Sequence, residues 1–238
     1  MDSKLEIHRA RSRGSFDFGW LRTAHSFSFG EYRNPARVQF GQLRVLNDDS
    51  LIGGAGFDTH PHRNMEIISI PLRGALEHHD SGGNHGVLRS GNIQIMSAGA
   101  GILHSEFNHS ATEDLNFLQI WILPRIRDID PRYQQLAFQP ADIDNQWRCL
   151  VAPDREDSLW INQNAWVSLS RISSGCQLAA TLNRNASHAY LMCLEGDLML
   201  EQERLGRRDA LALSGYSELT LNTESGADLL LIESQFGG

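Results

Sequence analysis

Apolar residues along the chain fall into short runs bounded by Gly, Asn, Asp or Ser, without the three-and-four spacing of amphipathic helices. In the first half, Gln42–Leu46, Met65–Pro71, Ile93–Met96 and Phe117–Leu123 predict strands. Turn-forming stretches recur between them: NDDS at 47–50, GGAG at 53–56, DSGGNHG at 80–86 and SAGAG at 97–101. Glycine and asparagine there can supply the positive φ that hairpin connections need. A second series of strands is predicted at Trp166–Ile172, Gln177–Leu182, Ala189–Leu194, Asp197–Glu201, Ala210–Leu213, Glu218–Leu221 and Asp228–Glu233. Many short strands at close spacing predict an all-β sandwich or barrel.

Between the two series the texture changes. Residues 124–146 carry Pro124, Pro131 and Pro140, several charges and little alternation, which predicts a connector with a short helical piece at Arg132–Ala137. The halves on either side share a faint likeness. IISIPLRGALEHHD (67–80) and LMCLEGDLMLEQ (191–202) both read as strand, glycine turn, strand, with Gly74 matching Gly196.

Composition narrows the class. The 238 residues, 41% of them hydrophobic, suffice for one large domain or two compact ones and exclude wholesale disorder. Lys plus Arg number 21 against 29 Asp plus Glu, a net charge of -8, which argues against a coat for nucleic acid or anionic membrane. Cys149, Cys176 and Cys193 form no C-x-x-C pair, as expected of free thiols in a reducing compartment. The first residues lack the apolar core of a secretory signal, and runs such as LLLI at 229–232 are too short to cross a bilayer. A cytoplasmic protein without membrane or direct nucleic-acid contact is the expectation.

Chemistry concentrates at two short segments. In THPHRNME, His60 and His62 are two apart and share a face if extended, with Glu66 at the same parity. In GILHSEFN, His104 and Glu106 repeat the spacing. On adjacent strands the pairs bring three imidazoles and a carboxylate to one centre, a donor set suited to a divalent transition ion with positions left open. Alone, an H-x-H is common by chance, and His104 with Glu106 reads equally well as a hydrogen-bonded pair.

The flanking glycines add a resemblance. Gly54, His60, His62, Glu66 and Gly74 resemble the first motif of the cupins, with one residue more than usual before Gly74; Gly91, Gly99, Gly101, His104 and Asn108 resemble the second, with SAG at 97–99 where P-x-G is usual. Within the cupins, FSFGEYRNP (27–35), LRVLNDD (43–49), GFDTHPHRNMEI (56–67), IMSAGAGILHSEFN (95–108), LQIWILP (118–124) and PRYQQ (131–135) are similar to the pirin family and its bacterial quercetinases. The resemblance is dense over 16–135 and thinner beyond.

It implies two cupin barrels (double-stranded β-helix, or jelly roll) in tandem: a metal-binding domain at 1–135 and a cupin-like domain without ligands at 136–238. It implies metal ligands at His60, His62, His104 and Glu106, with Glu66 orienting a ligand imidazole or serving the structure. The cofactor implied is one divalent transition ion, iron first, with manganese, cobalt, nickel, copper or zinc as alternatives. The activity implied is dioxygen-dependent opening of a flavonol such as quercetin with release of carbon monoxide, Glu106 acting as base. The alternative is a metal-dependent, redox-responsive regulator acting through a protein partner.

The remaining residues carry structural expectations. The repeat matches Leu182, Arg184 and His188 to His60, His62 and Glu66, so the second half lacks the ligands, and His188 is expected to be structural. His78 and His79 alternate faces and default to the surface; His85 and His109 read as solvated; His8 and His25 have no evident partner. Trp20, Phe27, Phe29, Trp121, Trp147, Trp160 and Trp166 read as core or domain interface. Arg204, Arg207 and Arg208, offset by Glu201, Glu203 and Asp209, read as a solvated hairpin.

Overall fold

A computed structural model describes residues 3–183 and 185–235. It is all-β among these residues, with two short 3-10 turns at Ala10–Ser12 and Pro140–Asp142. The strands form two seven-stranded and two four-stranded sheets, arranged as two barrels. In the first barrel the large sheet runs Arg132–Ala137, Asn92–Ser97, Glu66–Arg73, Leu115–Ile122, Leu43–Leu51, Leu21–His25, Gly14–Asp17. The small sheet opposite runs Gly56–His62, Ile102–Asn108, Ala75–Asp80, His85–Arg89.

The second barrel repeats that order. Its large sheet runs Lys4–His8, Ala210–Ser214, His188–Gly196, Ala227–Ser234, Ala165–Ile172, Arg148–Ala152, Leu159–Trp160, and its small sheet Gln177–Thr181, Glu218–Asn222, Leu198–Leu200, Glu203–Leu205. The faint repeat in the sequence is thus a repeat of topology. Gly74 and Gly196 both turn the chain between sheets at φ +82°, a conformation that favours glycine. A Cβ at Gly74 would lie 2.8 Å from the Asp114 carbonyl oxygen.

Two edge strands depart from the linear reading. Arg132–Ala137 is not helical; it pairs antiparallel with Asn92–Ser97 from Arg132↔Ser97 to Ala137↔Asn92. Its side chains do not alternate cleanly between polar and apolar because the edge strand has both faces partly covered, which hid its period of two. Lys4–His8, near the start of the chain, crosses to the second barrel and pairs with Ala210–Ser214. There His8 finds the partners its sequence context did not reveal: the Tyr190 hydroxyl at 3.1 Å and Glu6 at 3.2 Å.

The large sheets of the two barrels pack face to face. Leu46, Ile68, Ile70, Ile95, Leu118 and Ile120 from the first meet Leu150, Val167, Tyr190, Met192, Leu230 and Ile232 from the second in one apolar cluster, with Phe27 buried among them. Each fully buried aliphatic side chain contributes about 1.5–3 kcal/mol, so this layer binds the halves tightly. Arg208 closes one end of the interface. The expectation of a solvated arginine fails there: Arg208 is buried, its Nε 2.6 Å from Asp48 of the first barrel, with Nη1 donating to the Leu194 carbonyl. No cysteine is bridged; Cys193 is buried, Cys149 half-buried and Cys176 exposed.

The second barrel is filled by Leu191, Leu198, Leu200, Leu211, Leu213, Leu219 and Leu221 with their neighbours, and Leu182 joins them. Arg184 lies outside the described residues. His188 is half-buried, edge-on to Phe40 at 4.9 Å and 3.1 Å from the Ser187 hydroxyl.

Candidate metal centre

The first barrel has an apolar end, where Leu21, Leu51, Leu76, Leu88, Leu115 and Phe117 pack together, and a smaller apolar cluster of Ile67, Met96, Ala98 and Ile102, against which Trp121 and Tyr133 pack. Toward the other end its interior turns polar, and the small sheet delivers the histidines. His104 stands directly across from His60 in the antiparallel pair Ile102–Asn108 with Gly56–His62, and the register shifts between His104 and Glu106. The rings of His60, His62 and His104 converge with centroids 4.8, 4.5 and 4.8 Å apart for the pairs 60–62, 60–104 and 62–104. One donor atom from each lies within 4.8 Å of the others.

The nitrogens are available. His60 Nδ1 lies 2.7 Å from the Asp58 carbonyl oxygen, so it carries the proton and Nε2 keeps the lone pair. Both ring nitrogens of His104 are buried and meet no hydrogen-bond partner among the described residues. Burial, reinforced by the neighbouring imidazoles, pushes His62 down to about 4 and His104 down to about 3, so both are neutral at pH 7. An orphaned buried imidazole costs about 1–3 kcal/mol unless something accepts its lone pair. A cluster of three such rings can hold a metal ion, and its donor chemistry fits one.

Glu106 does not sit in that triad. It forms a second buried group with His78 and His104, so His104 is the residue common to both. The carboxylate is held from three strands: Oε1 accepts from the Ser69 hydroxyl at 2.8 Å and the Gln94 amide at 3.0 Å, and Oε2 accepts from the Gln119 amide at 2.6 Å. Glu66 is buried outside this group. Its Oε2 accepts from the Ser97 hydroxyl at 2.8 Å and from the Asn162 backbone N–H of the second half at 3.1 Å. It therefore ties the two halves together, and none of its described hydrogen bonds goes to an imidazole.

Three residues near the centre have surroundings that their local sequence did not suggest. His78, expected at the surface, is fully buried 5.4 Å from the His104 ring, with Nε2 3.1 Å from Asp80. Only the alternation in LEHHD signalled that one of the pair faces inward, and it is His78 that does. Tyr133, from the edge strand expected to be helical, stacks on His78 at 4.5 Å and donates to Gln94 at 2.9 Å. Trp121, expected in the core, stands edge-on to His62 at 4.9 Å with Phe29 5.2 Å away, and its buried indole N–H has no partner among the described residues. Trp20, by contrast, is exposed. The turn behind His62 is clamped from the connector: Arg63 and Asn64 both donate to Asp128 Oδ1, and the Asp128 N–H donates to Asn64 at 2.7 Å.

Comparison with known proteins agrees with this architecture. A protein named quercetin 2,3-dioxygenase from Escherichia coli strain K12 is 37% identical over 234 residues, covering 96% of this chain and 98% of that protein. The family model described as Pirin matches residues 6–122. The chain belongs to the pirin family. A second model, described as the quercetinase C-terminal cupin domain, matches residues 149–234, in the leucine-filled barrel. The crystal structure of the pirin YhhW from Escherichia coli superposes with a TM-score of 0.93 at 34% identity, covering 98% of this chain and 99% of that one. A structure of the same bacterial pirin in complex with nickel(II) superposes at 0.92, with 34% identity over 98% of this chain and all of that one. No helix among the described residues is long and apolar enough to cross a membrane.

Proposed function

We propose that this pirin holds one divalent transition ion through His60, His62, His104 and Glu106, and uses it to open a flavonol with dioxygen and release carbon monoxide. The division into a metal-binding domain and a ligand-free partner domain belongs to the same reading. The observation that carries it is the set of three converging imidazoles, with both nitrogens of the buried His104 unclaimed among the described residues. The quercetin 2,3-dioxygenase name of the Escherichia coli relative supports the substrate class, and the nickel(II) complex of YhhW supports a metal in that pirin. Iron is the first choice of ion, with manganese, cobalt, nickel, copper and zinc as the alternatives.

Such an ion, when bound, would supply positive charge that acidifies a flavonol hydroxyl, and the electron-rich flavonolate that results supplies the electrons for dioxygen. The chain supplies the rest. His60 keeps Nε2 directed inward because Asp58 fixes its tautomer. Glu106 takes the flavonol hydroxyl proton, and the donors from Ser69, Gln94 and Gln119 stabilise its anion before the transfer and hold its position. Trp121 and Phe29 flank His62 and offer aromatic faces and one indole N–H to a planar substrate. Oxygen uptake on a panel of flavonols, with the chain loaded in turn with each ion, tests the reading. Uptake with at least one ion is expected, and no uptake with any would turn the case toward a regulatory role.

A further inference from the structure

The outer face of the small sheet carries a second cluster that this chemistry does not use. Side chains alternate along Ala75–Asp80, so while His78 enters the barrel, Glu77 and His79 point away from it. His85 stands directly across the hairpin from His79, and His109 follows the end of Ile102–Asn108. His79 Nε2 and His85 Nε2 meet the same oxygen, Glu77 Oε1, at 2.9 and 3.2 Å. His109 Nδ1 meets Oε2 at 2.7 Å. The His79 and His85 rings lie parallel, 4.0 Å apart with 15° between their planes.

We propose that Glu77, His79 and His85, with His109 as a fourth donor, form a second divalent-metal site on the outside of the barrel, suited to a borderline ion such as zinc, copper or nickel. One donor atom from each of Glu77, His79 and His85 lies within 4.8 Å of the others. The separations of 2.9 and 3.2 Å are near the edge of about 3.3 Å spanned by ligands held about 2.0 Å from a tetrahedral zinc. A neutral imidazole that donates from Nε2 becomes a metal ligand there by moving its proton to Nδ1, without any backbone change. His79 and His85 are a cross-strand pair in a regular ladder, so the backbone already sets their spacing. All three imidazoles are about half exposed, open to an ion arriving from solvent.

An ion here would bridge the 75–80 and 85–89 hairpin to the end of strand 102–108. Because His78 projects from the other face of the same strand, that bridge would also stiffen one wall of the inner chamber.

The test is a titration of the chelator-stripped chain with zinc alone, read by calorimetry and by elemental analysis after gel filtration. Wild type is expected to bind one more zinc per chain than H79Q/H85Q, with H60Q/H62Q keeping the outer ion. That difference stands whether or not the inner centre fills, so it is independent of the flavonol reading. E77Q, a change at an accessible surface, should weaken the outer ion at least tenfold. Equal zinc content and affinity in wild type and H79Q/H85Q would overturn the proposal, as would an E77Q variant that binds as wild type does.

Discussion

Two barrels with the same strand order differ in what fills them. The second is packed with leucine. The first, behind its apolar end, buries Ser69, His78, Gln94, His104, Glu106 and Gln119. Each buried polar atom left unpaired costs about 1–3 kcal/mol, so such an interior persists only where the groups satisfy one another or a ligand. Ser69, Gln94, Gln119 and Glu106 satisfy one another; His104 does not. On the proposed function, one scaffold serves as a packing partner in one copy and as a reaction chamber in the other, and a handful of inward positions makes the difference.

The sharpest way to break this comparison is to remove a chamber group. His62→Ala and Glu106→Ala should each abolish tight binding of the inner ion and lower flavonol turnover by at least about 10²–10⁴-fold, measured by elemental analysis in an H79Q/H85Q background and by oxygen uptake. Arg208→Ala should next cost about 3 kcal/mol, the low end for a broken buried pair, because the Asp48 carboxylate keeps the Asn116 amide at 2.7 Å and the more distant Arg13 at 3.8 Å. Urea unfolding would measure that loss, and the inner ion should remain. Leu221→Ala, in the leucine-filled barrel, should cost about 2–5 kcal/mol with inner-ion content unchanged.

A further prediction concerns pH. Burial pushes Asp49, inside the first barrel, up to about 7 from the ordinary 3.8. Below about pH 4 both folded and unfolded chains hold its proton, and the stabilisation is complete. As pH rises toward 7 the unfolded chain releases the proton while the folded chain keeps it, so native stability falls. Asp49→Asn should flatten that decline between pH 4 and 7 in denaturation midpoints, and an unchanged slope would mean that Asp49 is not the cause.

The sequence made the fold class readable because strands of period two and glycine turns are local signals. HPH and HSE made the histidines readable for the same reason: two-residue spacing puts each pair on one face, and a ladder joins them. What stayed hidden depends on partners distant in the chain. Gln94, Gln119 and Ser69 converge on Glu106 from three strands and carry no motif among them. Tyr133 lies on an edge strand whose faces do not alternate. Arg208 looked solvated beside nearby acids, but its decisive partner, Asp48, is 160 positions away. Glu66 shared the parity of His60 and His62, yet its turn carries it to Ser97 and Asn162 instead.

The most direct test of the chamber's role is oxygen uptake by the ion-loaded H79Q/H85Q chain given a flavonol, compared with the same chain also carrying His62→Ala. The first should consume dioxygen with loss of the flavonol and evolution of carbon monoxide, and the second should not. Equal uptake by both, or none by the first with any of the candidate ions, would contradict the assignment of the three imidazoles to this chemistry.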